Sequence, residues 1–369
     1  MTLSARDIMT ERADCVSDTE TLRDAARHLS EADMNAVPVL GANGNAIGML
    51  RPATIVQAVA EGRDTERETV ADLMPARSVP AEPVTVEPDC PIEEVTRAMA
   101  ARGAQQALVA DNGTVLGVVT RVDLDTFSYR PPDGLPLPPP DLIELVTGPQ
   151  RRQRLFHRFY ESGARSADDI RRLLDRHGRA MEDFDSVLDF GCGCGRVMRQ
   201  WHALERPRLH GADYNRELVA WCRRNLPFAR YEQNRLESGL PFADGEFDLV
   251  YALSVFTHLD RDLQLPWMEE LGRVARGGAL ILLTLLGESK LDTLDGEERS
   301  AFEAGELVIR RPQRSGKNDC VAFHPRRYIE RTLARDFELM DFIPNGAPEM
   351  DQEALLLRKP ERPPASDQR

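Results

Sequence analysis

The sequence lacks any run of about 20 apolar residues, the length that a membrane-spanning helix requires. Its first residues, Met1–Asp7, contain no apolar signal core, so we expect a cytoplasmic protein without a membrane partner. Acidic residues outnumber basic ones by 61 to 47, and the net charge is −14. A phosphate backbone would be repelled overall, and we therefore expect no nucleic-acid partner.

Cysteine is also sparse, and its spacing argues against two kinds of site. The six cysteines are scattered and none of them forms a Cys-x-x-Cys pair. The sequence therefore predicts neither a metal site nor a disulfide framework. Cys192 and Cys194 alternate with glycines in one loop, where a small side chain suits the geometry.

The length of 369 residues suggests two or three domains. An internal repeat lies within the first half of the chain. Each copy has the pattern β-α-β-β-α, and an Asn-Gly turn between its second and third strands is a strong hairpin signal. The predicted elements of the first copy include Cys15–Asp18, Thr21–Glu31, Ala36–Leu40 and Ala46–Leu50. Those of the second copy include Val84–Pro88, Ile92–Arg102, Ala107–Ala110 and Val115–Val119.

The most specific element of the repeat is the end of the second copy, which reads Gly117-Val118-Val119-Thr120-Arg121-Val122-Asp123. With this ending, residues 3–128 resemble a cystathionine-β-synthase (CBS) domain pair, a regulatory module that binds adenine nucleotides or S-adenosylmethionine (SAM). The resemblance implies that Thr120 and Asp123 hold the phosphate and ribose of an effector such as ATP, ADP or AMP. It also implies a homodimer formed through the CBS pair.

The first copy departs from this pattern, because Arg51 stands at the threonine position and Thr54 at the aspartate position. We therefore expect at most one competent nucleotide site. Thr120 and Asp123 also have a purely structural interpretation, in which they cap the helix that follows them. The sequence does not decide between the two interpretations.

A proline-rich connector separates the repeat from the second half of the chain. Helical spacing of apolar residues predicts three helices beyond it, Asp141–Val146, Arg151–Gly163 and Ala167–His177. The predicted domains are 3–62 and 66–129 for the two CBS repeats, 130–144 for the linker, 145–360 for a second domain and 361–369 for a disordered tail.

A glycine loop carries the strongest chemical signal, in the stretch Ser186–Arg196. A short apolar strand runs directly into glycines, and we expect a helix to follow them. Glycines permit positive φ and a close approach of the backbone to a ligand, and a helix N-terminus offers free N–H groups. The dinucleotide fingerprint would require a third glycine where Arg196 stands, which argues against a nicotinamide-dependent dehydrogenase.

With Asp189 before the glycines and acids or amides after the next strands, residues 145–360 resemble the class I, seven-strand SAM-dependent methyltransferases. The resemblance implies an α/β, Rossmann-like sheet with helices on both faces and an antiparallel last strand. Asp189 would face the methionine ammonium group, Asp213 would bind the ribose, and Tyr214 would lie against the adenine or at the solvent edge. The full set of implied cofactor residues is Asp189, Phe190, Gly191, Cys192, Gly193, Gly195, Asp213, Tyr214, Asn234, Arg235 and Ser254.

The best candidate for a general base that acts on the methyl acceptor is His258. His258 follows the fourth strand, at the sheet edge where ligands bind in open α/β folds, but it also suits a structural role. The long segment from Gly287 to His324 is expected to cover an acceptor pocket, with Lys317, Asp319 and His324 as candidate contacts. The leading interpretation is an enzyme that methylates a small molecule under nucleotide control. The alternative is a non-catalytic sensor that binds SAM and nucleotide and regulates a partner.

Overall fold

A computed structural model describes residues 3–11, 15–31, 36–44, 46–73, 84–148, 154–237 and 239–361. The chain divides into two compact units. The first unit contains the described residues up to Tyr129 together with Arg154, and the second contains those from Arg130 to Gly148 and from Leu155 onward. No helix within the described ranges is apolar over the length needed to cross a bilayer.

The first unit consists of two copies of the predicted β-α-β-β-α pattern. Its elements are α1 (Ala5–Ile8), β1 (Thr10–Glu11), β2 (Val16–Ser17), α2 (Leu22–Glu31), β3 (Val37–Leu40), β4 (Ala46–Leu50), α3 (Pro52–Ala60), α4 (Val70–Leu73), β5 (Val84–Val86), α5 (Ile92–Ala101), β6 (Gln106–Asp111), β7 (Thr114–Thr120) and α6 (Arg121–Phe127). The strands form one three-stranded sheet, β2-β3-β4, and one four-stranded sheet, β1-β7-β6-β5. The hairpins β3-β4 and β6-β7 are antiparallel, as the Asn-Gly turns predict.

The two repeats exchange their leading segments. Strand β1 pairs with β7 of the second repeat, and the amide of Ala5 donates to the carbonyl oxygen of Cys90. In return, Val70 of α4 is buried in the core of the first repeat. Each repeat therefore completes its core with a segment that lies next to the other repeat in sequence, which explains why the two form one unit.

The second unit is a seven-stranded α/β domain. Its elements are α7 (Pro140–Thr147), α8 (Leu155–Asp175), β8 (Ser186–Phe190), β9 (Arg208–Asp213), α9 (Arg216–Asn225), β10 (Arg230–Gln233), β11 (Phe247–Ala252), α10 (Arg261–Val274), β12 (Ala275–Leu285), α11 (Gly296–Glu303), β13 (Val308–Arg310), β14 (Val321–Phe323), α12 (Arg326–Tyr328), β15 (Glu338–Ala347) and β16 (Gln352–Arg358). The sheet order is β10-β9-β8-β11-β12-β16-β15. The last strand in the chain, β16, runs antiparallel to both neighbours, which confirms the predicted topology.

One long helix replaces two predicted ones. The sequence suggested that a helix ends at Gly163, but α8 continues without a break from Leu155 to Asp175. Gly163 is buried inside the helix, where a Cβ atom would lie 2.1 Å from the carbonyl oxygen of Arg196. The glycine therefore permits a close helix–loop contact and does not mark a helix end. The predicted start of this helix, 151–153, lies outside the described residues.

One further helix prediction was wrong in detail. Within the described residues, the glycine loop is followed by a short 3-10 helix, Met198–Trp201, in place of the predicted α-helix. Farther along the chain, α12 is followed by a π-helix, Ile329–Leu333. The donors around the glycine loop are therefore turn amides and not the N-terminus of a long helix.

The proline-rich segment 130–144, predicted as a linker, belongs to the second unit. Asp133 forms a two-pronged ion pair with the fully buried Arg199, at 2.7 and 2.9 Å, and Arg199 also donates to the carbonyl oxygens of Leu135 and Pro136. These bonds fix the segment against the 3-10 helix that follows the glycine loop. Apart from Glu361, the predicted tail 361–369 lies outside the described residues.

Candidate functional site

A cavity of about 620 Å³ lies in the second unit at the carboxyl ends of β8, β9, β10 and β11. Parallel strands present their following loops at this edge, which is where open α/β sheets bind ligands. The cavity brings together ten of the eleven predicted cofactor residues, and His258 joins them. Gly195 does not line the cavity, because it packs beneath the loop against Leu226 and Cys222.

The glycine loop has a backbone that side chains would not tolerate. Gly191 and Gly193 adopt φ angles of +78° and +56°, in the left-handed region. A Cβ atom on Gly191 would lie 2.3 Å from Val255, and one on Gly193 would lie 2.8 Å from Val146. The two glycines therefore permit the turn and also the close packing of the walls on either side of it.

Asp189 is the penultimate residue of β8, is 4% exposed and lines the cavity. Burial raises the pKa of its carboxyl to about 7, against the opposing influence of the Tyr251 hydroxyl and the Arg196 guanidinium. Asp213 adds a further upward contribution. A carboxyl in this state gains most from a cationic partner, which is the chemistry that an ammonium group offers.

Asp213 is held in place by the glycine loop itself. Its carboxylate accepts the amide of Gly193 at 2.9 Å and the amide of Asn215 at 2.8 Å. Burial raises its pKa, and the two amide bonds counteract that shift. One acid thus ties the end of β9 to the glycine loop while it lines the same cavity.

Asn234 and Tyr214 occupy the side of the cavity formed by β9 and β10. The side-chain amide of Asn234 donates to the carbonyl oxygen of Arg235, but its own oxygen, Oδ1, is buried with no partner among the described residues. The Tyr214 hydroxyl donates to the carbonyl oxygen of Gly316 at 2.6 Å, so the ring bridges the strand end to the covering segment. An exocyclic amine would satisfy the unpartnered oxygen of Asn234.

Ser254 forms a strained turn immediately after β11. It adopts φ +59°, which is uncommon outside glycine, and its amide donates to the Thr284 hydroxyl at 2.7 Å. Its own hydroxyl lies 3.0 Å from the Thr257 hydroxyl and accepts a bond from the Gln352 amide at 2.8 Å. The turn is therefore fixed by buried groups from three elements.

His258 lies four residues after Ser254 and lines the cavity. Its Nδ1 atom is 2.8 Å from the carbonyl oxygen of Cys320, so Nδ1 carries the proton and Nε2 is an acceptor in the neutral ring. Burial lowers the pKa of the imidazole, although the Cys320 carbonyl and Asp319 oppose the shift. The ring is thus neutral at physiological pH and able to accept a proton.

The predicted covering segment contributes unequally to the cavity. Lys317 and its neighbours Gly316 and Asn318 line it, and the Asn318 amide donates to the Leu145 carbonyl oxygen of α7 at 3.1 Å. Asp319 pairs with Arg314, which leaves it outside the lining. His324 is fully buried, and burial lowers its pKa to about 3. The structure therefore brings only Lys317 of the three candidates to the cavity.

Several lining or supporting residues carried no recognisable signal in the sequence. Tyr251 and Trp267 look like ordinary core residues, although Trp267 lines the cavity and packs on Phe190 with ring centres 4.6 Å apart. Val146 comes from α7, far from the glycine loop in sequence. Gln352 comes from the last strand. Only tertiary packing reveals these four contributions.

In the first unit, Thr120 and Asp123 cap α6 reciprocally. The Thr120 amide and hydroxyl both donate to the Asp123 carboxylate, at 2.8 and 2.7 Å, and the Asp123 amide donates back to the Thr120 oxygen at 3.2 Å. This is the structural arrangement that the sequence allowed, and it leaves the effector role a prediction. Within the described ranges, no group of three or more metal-binding side chains is present.

Comparisons with known proteins match each half of the chain to a family. The CBS domain model matches residues 5–61 and 70–128, and a methyltransferase domain model matches residues 187–278. Hypoxic response protein 1 of Mycobacterium tuberculosis is 31% identical over 122 residues, which cover 33% of this chain and 82% of that protein. A protein of Encephalitozoon cuniculi named as a methyltransferase is 34% identical over 146 residues, 37% of this chain and 64% of its own length.

A solved SAM-dependent methyltransferase from Methanosarcina mazei is 18% identical, with a TM-score of 0.38, and covers 51% of this chain and 98% of its own. The matched model identifies a methyltransferase domain in the second unit, and the seven-stranded sheet has the predicted α/β topology. The chain belongs to the CBS-domain proteins, and in its sequence the methyltransferase domain follows the CBS pair.

Proposed function

We propose that the second unit transfers the methyl group of SAM to a small-molecule acceptor, with His258 as the general base. The observation that carries the proposal is the cavity, which joins the glycine loop, two buried acids and His258 at one sheet edge. SAM supplies a methyl group activated by its sulfonium. Everything else in the reaction is binding, alignment and proton removal, which are tasks for side chains.

The cofactor residues divide the donor between them. Asp189 pairs with the methionine ammonium, Asp213 accepts from the ribose hydroxyls, and Asn234 Oδ1 accepts from the adenine amine. The unpartnered, buried Asn234 oxygen supports this arrangement, because it is an acceptor with no donor of its own. Phe190, Cys192 and Arg235 contribute surface to the same subsite, and Tyr214 closes it towards Gly316.

His258 removes the proton from an acceptor hydroxyl or amine. The Cys320 carbonyl fixes the ring through Nδ1, and burial keeps the imidazole neutral, so Nε2 is available as a base. Lys317 and Asn318 lie on the same wall and bound the acceptor from the outside. The continuity of the cavity from the glycine loop to His258 favours an enzyme over a sensor that binds SAM without catalysis.

Calorimetric titration of SAM into the full chain tests the donor site. Wild-type protein should bind SAM. Asp189→Ala should lose the binding, because the substitution removes the carboxylate that pairs with the methionine ammonium group. Asp262→Ala is the matched control, since it removes an exposed carboxylate in the first turn of α10. Wild-type protein that binds no SAM would contradict the proposal.

The CBS pair is proposed to bind ATP, ADP, AMP or SAM as an effector, with Thr120 and Asp123 in the site, and to form a homodimer. The effector can act only if it favours one of two states of the protein. Nucleotide titrations of wild type, Asp123→Asn and the control Asp125→Asn test the site, because Asp125 is an exposed neighbour on α6. Equal binding by all three proteins would refute the assignment, and sedimentation would report the dimer.

A further inference from the structure

Gln352 is a buried polar residue that takes no part in the reaction as described so far. It begins β16 and is 5% exposed. Its side-chain amide reaches across the carboxyl end of the sheet and donates to the Ser254 hydroxyl at 2.8 Å. The contact joins residues that are 98 positions apart, and it links the antiparallel strand to the turn that lines the donor cavity.

The hydrogen atoms in this contact can be assigned by counting. The Thr257 hydroxyl donates to the Ser254 carbonyl oxygen at 2.8 Å, which uses its only hydrogen. The Ser254 hydroxyl must therefore donate to Thr257 across their 3.0 Å contact. Gln352 is the donor that fills a lone pair of Ser254. The bonds run in one direction, from Gln352 to Ser254, to Thr257, and back to the Ser254 carbonyl.

This order changes the expected role of Ser254. Its single hydroxyl hydrogen is committed inside the protein, so its side chain can contact SAM only as an acceptor. Its φ angle of +59° also costs free energy in a residue other than glycine. The buried bonds from Thr284, Thr257 and Gln352 hold the turn in that conformation.

The Ser254 turn contacts both the glycine loop of the donor subsite and the segment that carries His258. Val255 packs where a Cβ atom of Gly191 would stand, and its carbonyl oxygen accepts the amide of His258 at 3.0 Å. A shift of Ser254 would therefore move the wall of the glycine loop and the proposed base together. Asp213 and Asn234 lie on the other side of β8, at the ends of β9 and β10, and are therefore farther from this turn.

We propose that Gln352 is a positioning residue that fixes the conformation of the Ser254 turn. Through this turn it also fixes the positions of His258 and of the part of the donor subsite that binds the sulfonium. The inference rests on the proposed SAM site. It predicts that loss of the Gln352 amide weakens the binding of the methionine and sulfonium part of SAM and spares the adenosine part.

The test compares Gln352→Met, which keeps the length of the side chain but cannot donate, with wild type in titrations of SAM and adenosine. We expect SAM affinity to fall about five- to tenfold, the size of one lost hydrogen bond, and adenosine affinity to change less than twofold. Arg358→Gln is the control, since Arg358 is exposed on the same strand and pairs with Glu338 at the distant end of that strand.

A double-variant cycle shows whether the effect passes through Ser254. Ser254→Gly removes the hydroxyl but tolerates the positive φ, and Gln352→Met should cause no further loss in that background. Additive losses, or equal weakening of SAM and adenosine, would overturn the inference and indicate general destabilisation. If wild type binds neither ligand, the proposed SAM site itself fails, which is a different outcome.

Discussion

The pH dependence of SAM binding tests the buried carboxyl of Asp189. In the free protein its pKa is about 7, because burial outweighs the influence of Tyr251 and Arg196. The ammonium of SAM needs the carboxylate form, so binding must release a proton wherever the free carboxyl is protonated. Affinity should therefore rise as the pH passes from 6 to 8.

The size of the effect follows from the ionised fraction. With a pKa of about 7, roughly one tenth of the carboxyl is ionised at pH 6 and roughly nine tenths at pH 8, so affinity should rise about tenfold, or about 1.4 kcal/mol. Calorimetry in two buffers of different ionisation enthalpy would count the released proton directly. Asp189→Asn should bind weakly and without this dependence, whereas Asp262→Asn should retain it.

The same carboxyl affects the stability of the ligand-free protein, and the sign is definite. Because its folded-state pKa is raised, its contribution is fully present below the ordinary value of 3.8 and is lost as the pH rises through about 7. Asp189→Asn should therefore stabilise the free protein at pH 8, by up to about 4 kcal/mol, while it weakens SAM binding. An affinity profile that is identical in wild type and Asp189→Asn would refute the reasoning.

Three further substitutions probe the walls of the cavity. Gly191→Ala should abolish SAM binding in a calorimetric titration, because its φ is +78° and the new methyl group would meet the following turn at 2.3 Å. Arg199→Met leaves the Asp133 carboxylate buried and unpaired, and denaturant unfolding should show a loss of about 3–5 kcal/mol. Tyr214→Phe removes the bond to Gly316, and stopped-flow measurements should show SAM dissociating about fivefold faster, the effect of about 1 kcal/mol.

The parts of the molecule that sequence analysis predicted have local signals. A strand that runs into glycines is readable over a few residues, and so is an acid at the end of a strand. The topology was implied by the resemblance to the seven-strand methyltransferases, and the observed sheet order confirms it. The roles of the individual site residues stay predictions, although the cavity gathers almost all of them.

What sequence analysis missed depends on contacts between distant segments. A glycine at position 163 is typical of a helix end. In the structure, however, glycine is required there because the backbone of Arg196 approaches too closely to leave room for a side chain. In the predicted linker, proline content reports local stiffness and says nothing of the buried partner that Arg199 provides for Asp133. Gln352 reads as an ordinary polar residue in a strand until the turn at Ser254 is seen beside it.

If SAM binds in this cavity as proposed, the buried charges should favour SAM over the demethylated product. Asp189 and Asp213 are both buried, and burial raises the pKa of both carboxyls, so the empty site carries negative charge at a cost. SAM brings two positive charges, its sulfonium and its ammonium, to compensate this negative charge. The demethylated product has a neutral thioether and retains only the ammonium. In the proposed site, these two acids should therefore release the demethylated product more readily than SAM, because half of the positive charge of the ligand leaves with the methyl group.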